Sequence, residues 1–359
     1  MSDTYTVGTD KTYATIGGAN TAIGADVSGV GFQDVEIYAG GVSNAYAESI
    51  SWRKSNESET DRVRVYGMID HAGVPGAGIM VTGSGANLYV FEYGAYTVFD
   101  MLELKDHSAS GSQYGTRYGV AGTDLYVGIT NLIVHGITSS NSHASAILIG
   151  EEGVASNCIA YNITAAGSGH MRTISTRWTN SAAYFCTIFG TGSGGGNLQT
   201  GLNMWDGGIA SNIYAGPITG SSAKDFRFNG GSYTINYCCS EDPTANDGGG
   251  IGHLTQKAAT DQFNNAGSYD FSLKDTADIK WTGVAVDGIT LDIAGLTRPD
   301  PPSMGAFDLA VPAADGEKLI GIGSTNYIGS PLATSGGGSV FVKKKLEMRL
   351  SNQRMKRAA

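Results

Sequence analysis

Apolar and polar residues alternate in short runs along this chain, and between Leu125 and Gln256 the runs recur at a nearly constant pitch. Five of them are TNLIVHG (130–136), SNCIAYN (156–162), YFCTIFG (184–190), SNIYAGP (211–217) and INYCCSE (235–241). They bring Leu132, Cys158, Cys186, Ile213 and Tyr237 into line at steps of 26, 28, 27 and 24 residues. A second run follows each of the first: SAILIG (145–150), MRTIST (171–176), GLNMWDG (201–207), DFRFNG (225–230) and GIGHLTQ (250–256). A period of this size marks stacked repeats. Two short strands joined by Gly/Ser/Asn/Thr-rich corners leave no room for a crossover helix, so each strand must pair with its equivalent in the next coil. The reading is all-β, a parallel β-solenoid.

Strand alternation then sorts the side chains. Leu132/Val134, Cys158/Ala160, Cys186/Ile188, Ile213/Ala215 and Tyr237/Cys239 are expected inside, with Ile133, Ile159, Thr187, Tyr214 and Cys238 outside. Together with Phe185 and Phe189, the outward Ile133, Ile159 and Tyr214 make an apolar stripe. A stripe this contiguous reads as an oligomer interface, with a homotrimer favoured.

Earlier runs at 33–40, 61–67, 86–94 and 98–106 supply further coils, and the polar loop 47–61 is expected to protrude. At the start, YTVGTDKTYATIGGANTAI (5–23) resembles the opening of right-handed parallel β-helix proteins of the pectin-lyase-like superfamily. That resemblance implies a strand followed by a short capping helix. At the other end, residues 268–309 resemble the closing segment of many such proteins, the matching residues including Phe271, Leu273, Gly283, Asp292, Arg298, Pro299 and Gly305. It implies a buried structural pairing of Asp292 with Arg298. The expected organisation is a strand and cap over 1–30, coils over 31–265, a closing segment over 266–312, and a linker with a basic C-terminal arm over 313–359.

Charge adds to this picture. Of 23 basic and 33 acidic residues, seven and one respectively lie in 343–359, leaving 16 against 32 in the rest of the chain. A body this acidic argues against nucleic-acid binding. The arm, with Phe341, Lys343, Lys344, Lys345, Leu346 and Arg349, reads as a docking element for an acidic neighbour. No signal-peptide pattern opens the sequence, and no stretch approaches the length of a membrane span. The 53 glycines with 41% hydrophobic residues suit tight corners around a core rather than disorder. Four cysteines without a CxxC form neither a disulfide framework nor a metal site. No cofactor is expected.

For chemistry, the Asn-Thr-Asp and Asp-Asp segments of pectin-lyase-like hydrolases are absent, and His135-Gly136 stands alone as an ordinary exposed histidine. The remaining candidates border the second strand set. Trp178 and Trp205, 27 residues apart, suggest a stacking platform for sugar rings, with Arg177 beside them. Glu151 and Asp206 are the weak candidates for a catalytic carboxylate pair. The whole resembles a phage virion component, a tailspike, fibre or head-attached spike, assembled in the virion with other virion proteins and binding a surface polysaccharide without cleaving it. The alternative is a polysaccharide lyase or glycoside hydrolase of the same fold.

Overall fold

The computed structural model describes residues 3–309 apart from 41–43, 56, 59, 84–88, 119–126, 167–168, 191–197 and 221. Coil after coil, the chain adds short strands to three parallel sheets, the ladders of a β-solenoid. Among the described residues the first sheet has nine strands, from Asp3–Val7 to Thr234–Asn236; the second has seven, from Ile50–Trp52 to Ala223–Phe228; the third has nine, from Ala45–Ala47 to Cys239–Ser240. This is the parallel β-helix architecture that the two terminal segments imply. Among the described residues no helix is long and apolar enough to cross a membrane.

The inward register holds through four coils. Leu132, Cys158, Cys186 and Ile213 stack in the interior with Val134, Ala160, Ile188 and Ala215. At the fifth coil the expectation is off by one residue: Cys238 joins the interior stack, while Cys239 faces outward. The cause is a corner made of a single left-handed residue between the first and third sheets. Met101, Asn131, Asn157, Phe185, Asn212 and Tyr237 occupy it in successive coils, with φ between 50° and 59°. Asparagine tolerates this conformation, whereas Phe185 and Tyr237 adopt it only because their surroundings hold them there. All four cysteines are free thiols and buried.

The helix Ile16–Ile23 closes the N-terminal end, burying Ile16, Ala19 and Ile23 on the first coil. Thr15 Oγ1 accepts the Gly18 N–H, while the Glu48 carboxylate accepts the N–H groups of Ile16 and Gly17 at 2.8 and 2.7 Å. A Cβ at Gly17 would sit 3.0 Å from Glu48 Oε2, so the glycine leaves room for this cap. The loop 47–61 does not simply protrude. Ile50–Trp52 is a strand of the second sheet, and Trp52 is wholly buried.

The apolar stripe is also corrected. Ile133, Ile159 and Tyr214 do project from the third sheet, but the chain's own closing segment covers them with Phe263, Phe271, Ile279, Ile293 and Met304. Phe189 packs against the same layer, its ring 5.3 Å from that of Phe271. Phe185 sits at the left-handed corner under the Arg298 guanidinium. The stripe therefore seals an intramolecular layer, and no open interface between copies is made by these residues. The arm residues Phe341, Lys343, Lys344, Lys345, Leu346 and Arg349 lie outside the described residues.

The closing segment is fastened through the asparagine corner. Asn157 Nδ2 donates to the Leu291 carbonyl, and the Asn212 side chain exchanges two hydrogen bonds with the Val284 backbone at 2.7 and 2.8 Å. Arg298 donates to Asn157 Oδ1 and to the carbonyls of Gly305 and Ala306. It pairs with Asp308 at 3.2 Å, and its charge also acts on the expected Asp292. Asp292 also accepts the N–H groups of Leu296 and Asp308, and burial, outweighing Arg298, pushes its carboxyl above the usual range.

Candidate functional site

His135 is not the exposed histidine expected from the sequence. It is mostly buried, bonds Glu103 Oε1 through Nε2 at 2.7 Å and stacks on Tyr161 with ring centroids 4.6 Å apart. Burial alone would raise the Glu103 carboxyl, but the His135 bond and the Gly76 N–H outweigh it and hold the group below its ordinary value. Tyr161 stacks in turn on Tyr269 of the closing segment. The whole ladder is an anchoring layer.

The outer face of the second sheet is different. Two columns of side chains run along it, set by strand register. One reads Ser51, Glu92, Arg117, Leu148, Ser175, Asn203, Arg227. The other reads Tyr89, Tyr114, Ser145, Arg172, Thr200, Lys224. Toward the N-terminal end the charges are matched: Arg117 donates to Glu92 Oε1 from Nε and Nη2 at 3.1 and 2.6 Å, and Ser51 donates to the other carboxylate oxygen. Toward the C-terminal end, arginine predominates.

Arg172 and Arg227 take part in no ion pair among the described residues. Burial, then the charges of Arg177 and Arg227, lower the Arg172 pKa, which places three guanidinium groups within electrostatic reach of one another. The Arg172 guanidinium lies 6.0 Å from the Trp205 ring, and that of Arg177 lies 5.7 Å from the Trp178 ring. Arg227 Nε donates to Asn229 Oδ1; Asn229 Nδ2 donates to Asn203 Oδ1, and Asn203 Nδ2 to Ser175 Oγ. Three polar side chains are thereby fixed beside the arginines.

At the edge of this face His143 and His170 stack, centroids 5.0 Å apart and planes within 4°. The Nδ1 of His143 accepts the His170 N–H, and the Nδ1 of His170 accepts the Leu198 N–H. Each ring therefore carries its hydrogen on Nε2. Burial, then Arg172 and neighbouring positive charge, lower both pKa values, so the rings stay neutral donors.

The sequence-derived site residues meet here in part. Trp178 and Trp205 are both half-buried and take the same place at the corner of successive coils. Between the strand end at Thr176 and the left-handed Asn180 the corner is one residue longer than its counterparts, Ile149 to Glu152 and Met204 to Gly207. Arg177 is that extra residue: the turns that follow begin at Gly150, Trp178 and Trp205, whose carbonyls accept the N–H groups of Gly153, Ser181 and Gly208. Glu151 and Asp206 lie two coils apart, and Asp206 Oδ1 accepts the Ser232 N–H at 2.7 Å, a loop-fixing bond. Arg172, Ser145, Thr200, Tyr114 and the histidine pair were missed by the sequence reading. Their signal was polar residues at outward positions of apolar strands, one coil apart. Among the described residues no cluster of three or more His, Cys, Asp or Glu side chains is arranged to hold a metal ion.

The fold defines a parallel β-solenoid with one aromatic and cationic outer face. No family model matches the sequence. No curated protein matches it either. Among solved structures the chain is similar to the pectin methylesterase from Aspergillus niger in deglycosylated form, at 13% identity over 70% of this chain and 85% of that one, with a TM-score of 0.38. The same enzyme in penultimately deglycosylated form is similar at 13% identity over 70% and 84% of the two chains, with a TM-score of 0.36.

Proposed function

We propose that this chain is a glycan-binding β-solenoid, non-enzymatic and of the virion spike or fibre kind, that holds a surface polysaccharide along the outer face of its second sheet. One observation carries the reading: Trp205, Tyr114 and the guanidinium groups of Arg172 and Arg227 share a face whose polar neighbours Ser175, Asn203 and Asn229 are already ordered. Aromatic rings and planar guanidinium groups stack on the apolar faces of sugars, while ordered amides and hydroxyls serve their hydroxyl groups. A linear glycan lying along the rod would meet a new strand every ~4.8 Å.

Binding without cleavage is supported by the state of the nearby carboxylates. Glu92 is held by Arg117 and Ser51, Asp206 by the Ser232 N–H, and Asp225 by the N–H groups of Ile218, Glu241 and Asp242. The test is a panel of surface polysaccharides titrated into the purified chain, with reducing ends and unsaturated uronates monitored in parallel. Binding weakened by Trp205→Ala, without new chain ends, is the expected result. Release of oligosaccharides would replace this reading with the lyase or hydrolase. For the virion setting, antibody raised against the chain should decorate purified particles in negative stain, and bare particles would remove it.

A further inference from the structure

In the outward column of the second sheet, Arg172 stands between Ser145 and Thr200, one residue per coil. Ser145 is 4% exposed and Thr200 is fully buried, yet neither hydroxyl has a hydrogen-bond partner. Arg172 Nε is likewise buried without an acceptor, as is Trp205 Nε1. Buried polar groups are ordinarily satisfied, and each exception asks for an explanation. Four of the exceptions meet here, on one column and on the indole packed over it. A guanidinium Nε, an indole N–H and two hydroxyls are thus left without hydrogen-bond partners side by side, with a net excess of hydrogens to donate. The neighbouring charges are of the same sign, Arg177 and Arg227, in a chain whose formal net charge is −10.

Like charges do not gather at a sheet face for stability, since mutual repulsion and desolvation both oppose it. What satisfies all of these groups at once is an oxyanion, which accepts from Nε and a terminal nitrogen of a guanidinium in fork geometry and from the flanking hydroxyls. The stacked imidazoles at the edge of the face add Nε2 hydrogens without adding charge. Resting on the glycan-binding reading above, we propose that Arg172, with Ser145 and Thr200 on either side and Arg177 and Arg227 beside it, is a subsite for a negatively charged substituent of the glycan: a carboxylate, sulfate ester or phosphate. Entry of the oxyanion lifts the Arg172 side chain from the column and uncovers the two hydroxyls. Recognition is by charge and fork geometry, so it is insensitive to the sugar that bears the group.

The experiment has two arms. In the first, inorganic sulfate, inorganic phosphate and free glucuronate are titrated at constant ionic strength into the full chain and into Arg172→Gln and Arg172→Lys, with glucose as the uncharged control. In the second, dextran sulfate, polygalacturonate, a phosphate-bearing teichoic acid and neutral dextran are compared on the same three proteins. The expected result is binding of at least one anion class, weakened tenfold or more by Arg172→Gln and recovered only in part by Arg172→Lys, which keeps the charge but not the fork. Affinity for the neutral polymer should not change. If Arg172→Gln proves unstable, displacement of the charged polymer by its matching small anion on the unmutated chain decides the matter. Equal loss for charged and neutral polymers, or no dependence on Arg172 in a variant that melts normally, overturns the anion subsite. Binding of neutral glycans with no preference for charged ones defeats the subsite and spares the glycan-binding reading. Binding of small anions through Arg172 with no polymer bound upholds the anion site and defeats the glycan-binding reading.

Discussion

The guanidinium carbon of Arg298 lies 3.9 Å from the centroid of the Phe185 ring, joining the closing segment to the one-residue corner of the solenoid. The same guanidinium pairs with Asp308 and reaches Asn157 Oδ1, so it spans two coils and the final turn. Replacing Arg298 by Met keeps the packing volume but strands the Asp308 carboxylate in a buried site. Breaking a buried pair in this way costs about 3–5 kcal/mol. The expected outcome is a melting transition lowered by several degrees, with the closing segment opened first to protease. Unchanged melting and unchanged cleavage would show that the cluster does not fasten the segment.

The interior register makes a paired prediction. Ile213→Asp places a charge without a partner in the central stack and should leave the chain unfolded or insoluble, since the cost of several kcal/mol rivals a typical total stability. Cys238→Asp should do the same, and Cys239→Ser should be much milder because Cys239 lies outside the coil. Circular dichroism and solubility separate the three. A folded Cys238→Asp would restore the off-by-one alternative.

Removing the closing segment tests the covered stripe. A chain ending at residue 258 should bare Ile133, Ile159 and Tyr214, bind a hydrophobic dye and associate on light scattering, as exposed contiguous apolar surface does. A truncated chain that stays monomeric and dye-free would mean the layer contributes little burial.

Asp225 gives a pH dependence. Burial, with Asp242 next in weight, pushes its carboxyl up to about 7, against about 3.9 for the unfolded chain. Between those values the folded state binds more protons than the unfolded one, so this group's contribution is full below the lower value and is lost as pH rises through the upper one. The slope approaches about 1.4 kcal/mol per pH unit from this site alone. Melting temperature should therefore fall more steeply from pH 5 to pH 8 in the parent than in Asp225→Asn. Parallel curves would rule the site out as the source.

Much of the solenoid was legible because its pattern is local and periodic: Leu132, Cys158, Cys186 and Ile213 sit where alternation and repeat length put them. The slip at Tyr237 arose because a corner of one left-handed residue carries no Gly or Pro to mark it. Its signature is Asn131, Asn157 and Asn212, and Phe185 and Tyr237 hide it in the other coils. The cover over Ile133 and Tyr214 comes from residues far along the chain, through contacts that no short-range pattern reports. At the candidate site, Trp178 and Trp205 drew attention by spacing alone, and that spacing puts them at equivalent turn positions of successive coils, with the one-residue insertion at Arg177 ahead of the first. Arg172 was passed over because a single outward arginine in MRTIST looks like any solvated strand residue until Ser145 and Thr200 are placed on either side of it.

The path of the closing segment also decides how the rod would bear a load. Having left the last coil, the chain doubles back so that Ala306 N–H donates to Thr187 Oγ1 and Phe307 packs over Gly73, well toward the other end. A pull applied at Leu309 thus enters at the waist of the rod, and it must shear the bonds to Asn157, Thr187 and Asn212 together before any coil can peel away. Tension on the tip would unzip one coil at a time, whereas tension here is shared across several at once. A tether attached after Leu309 would therefore load several coils together.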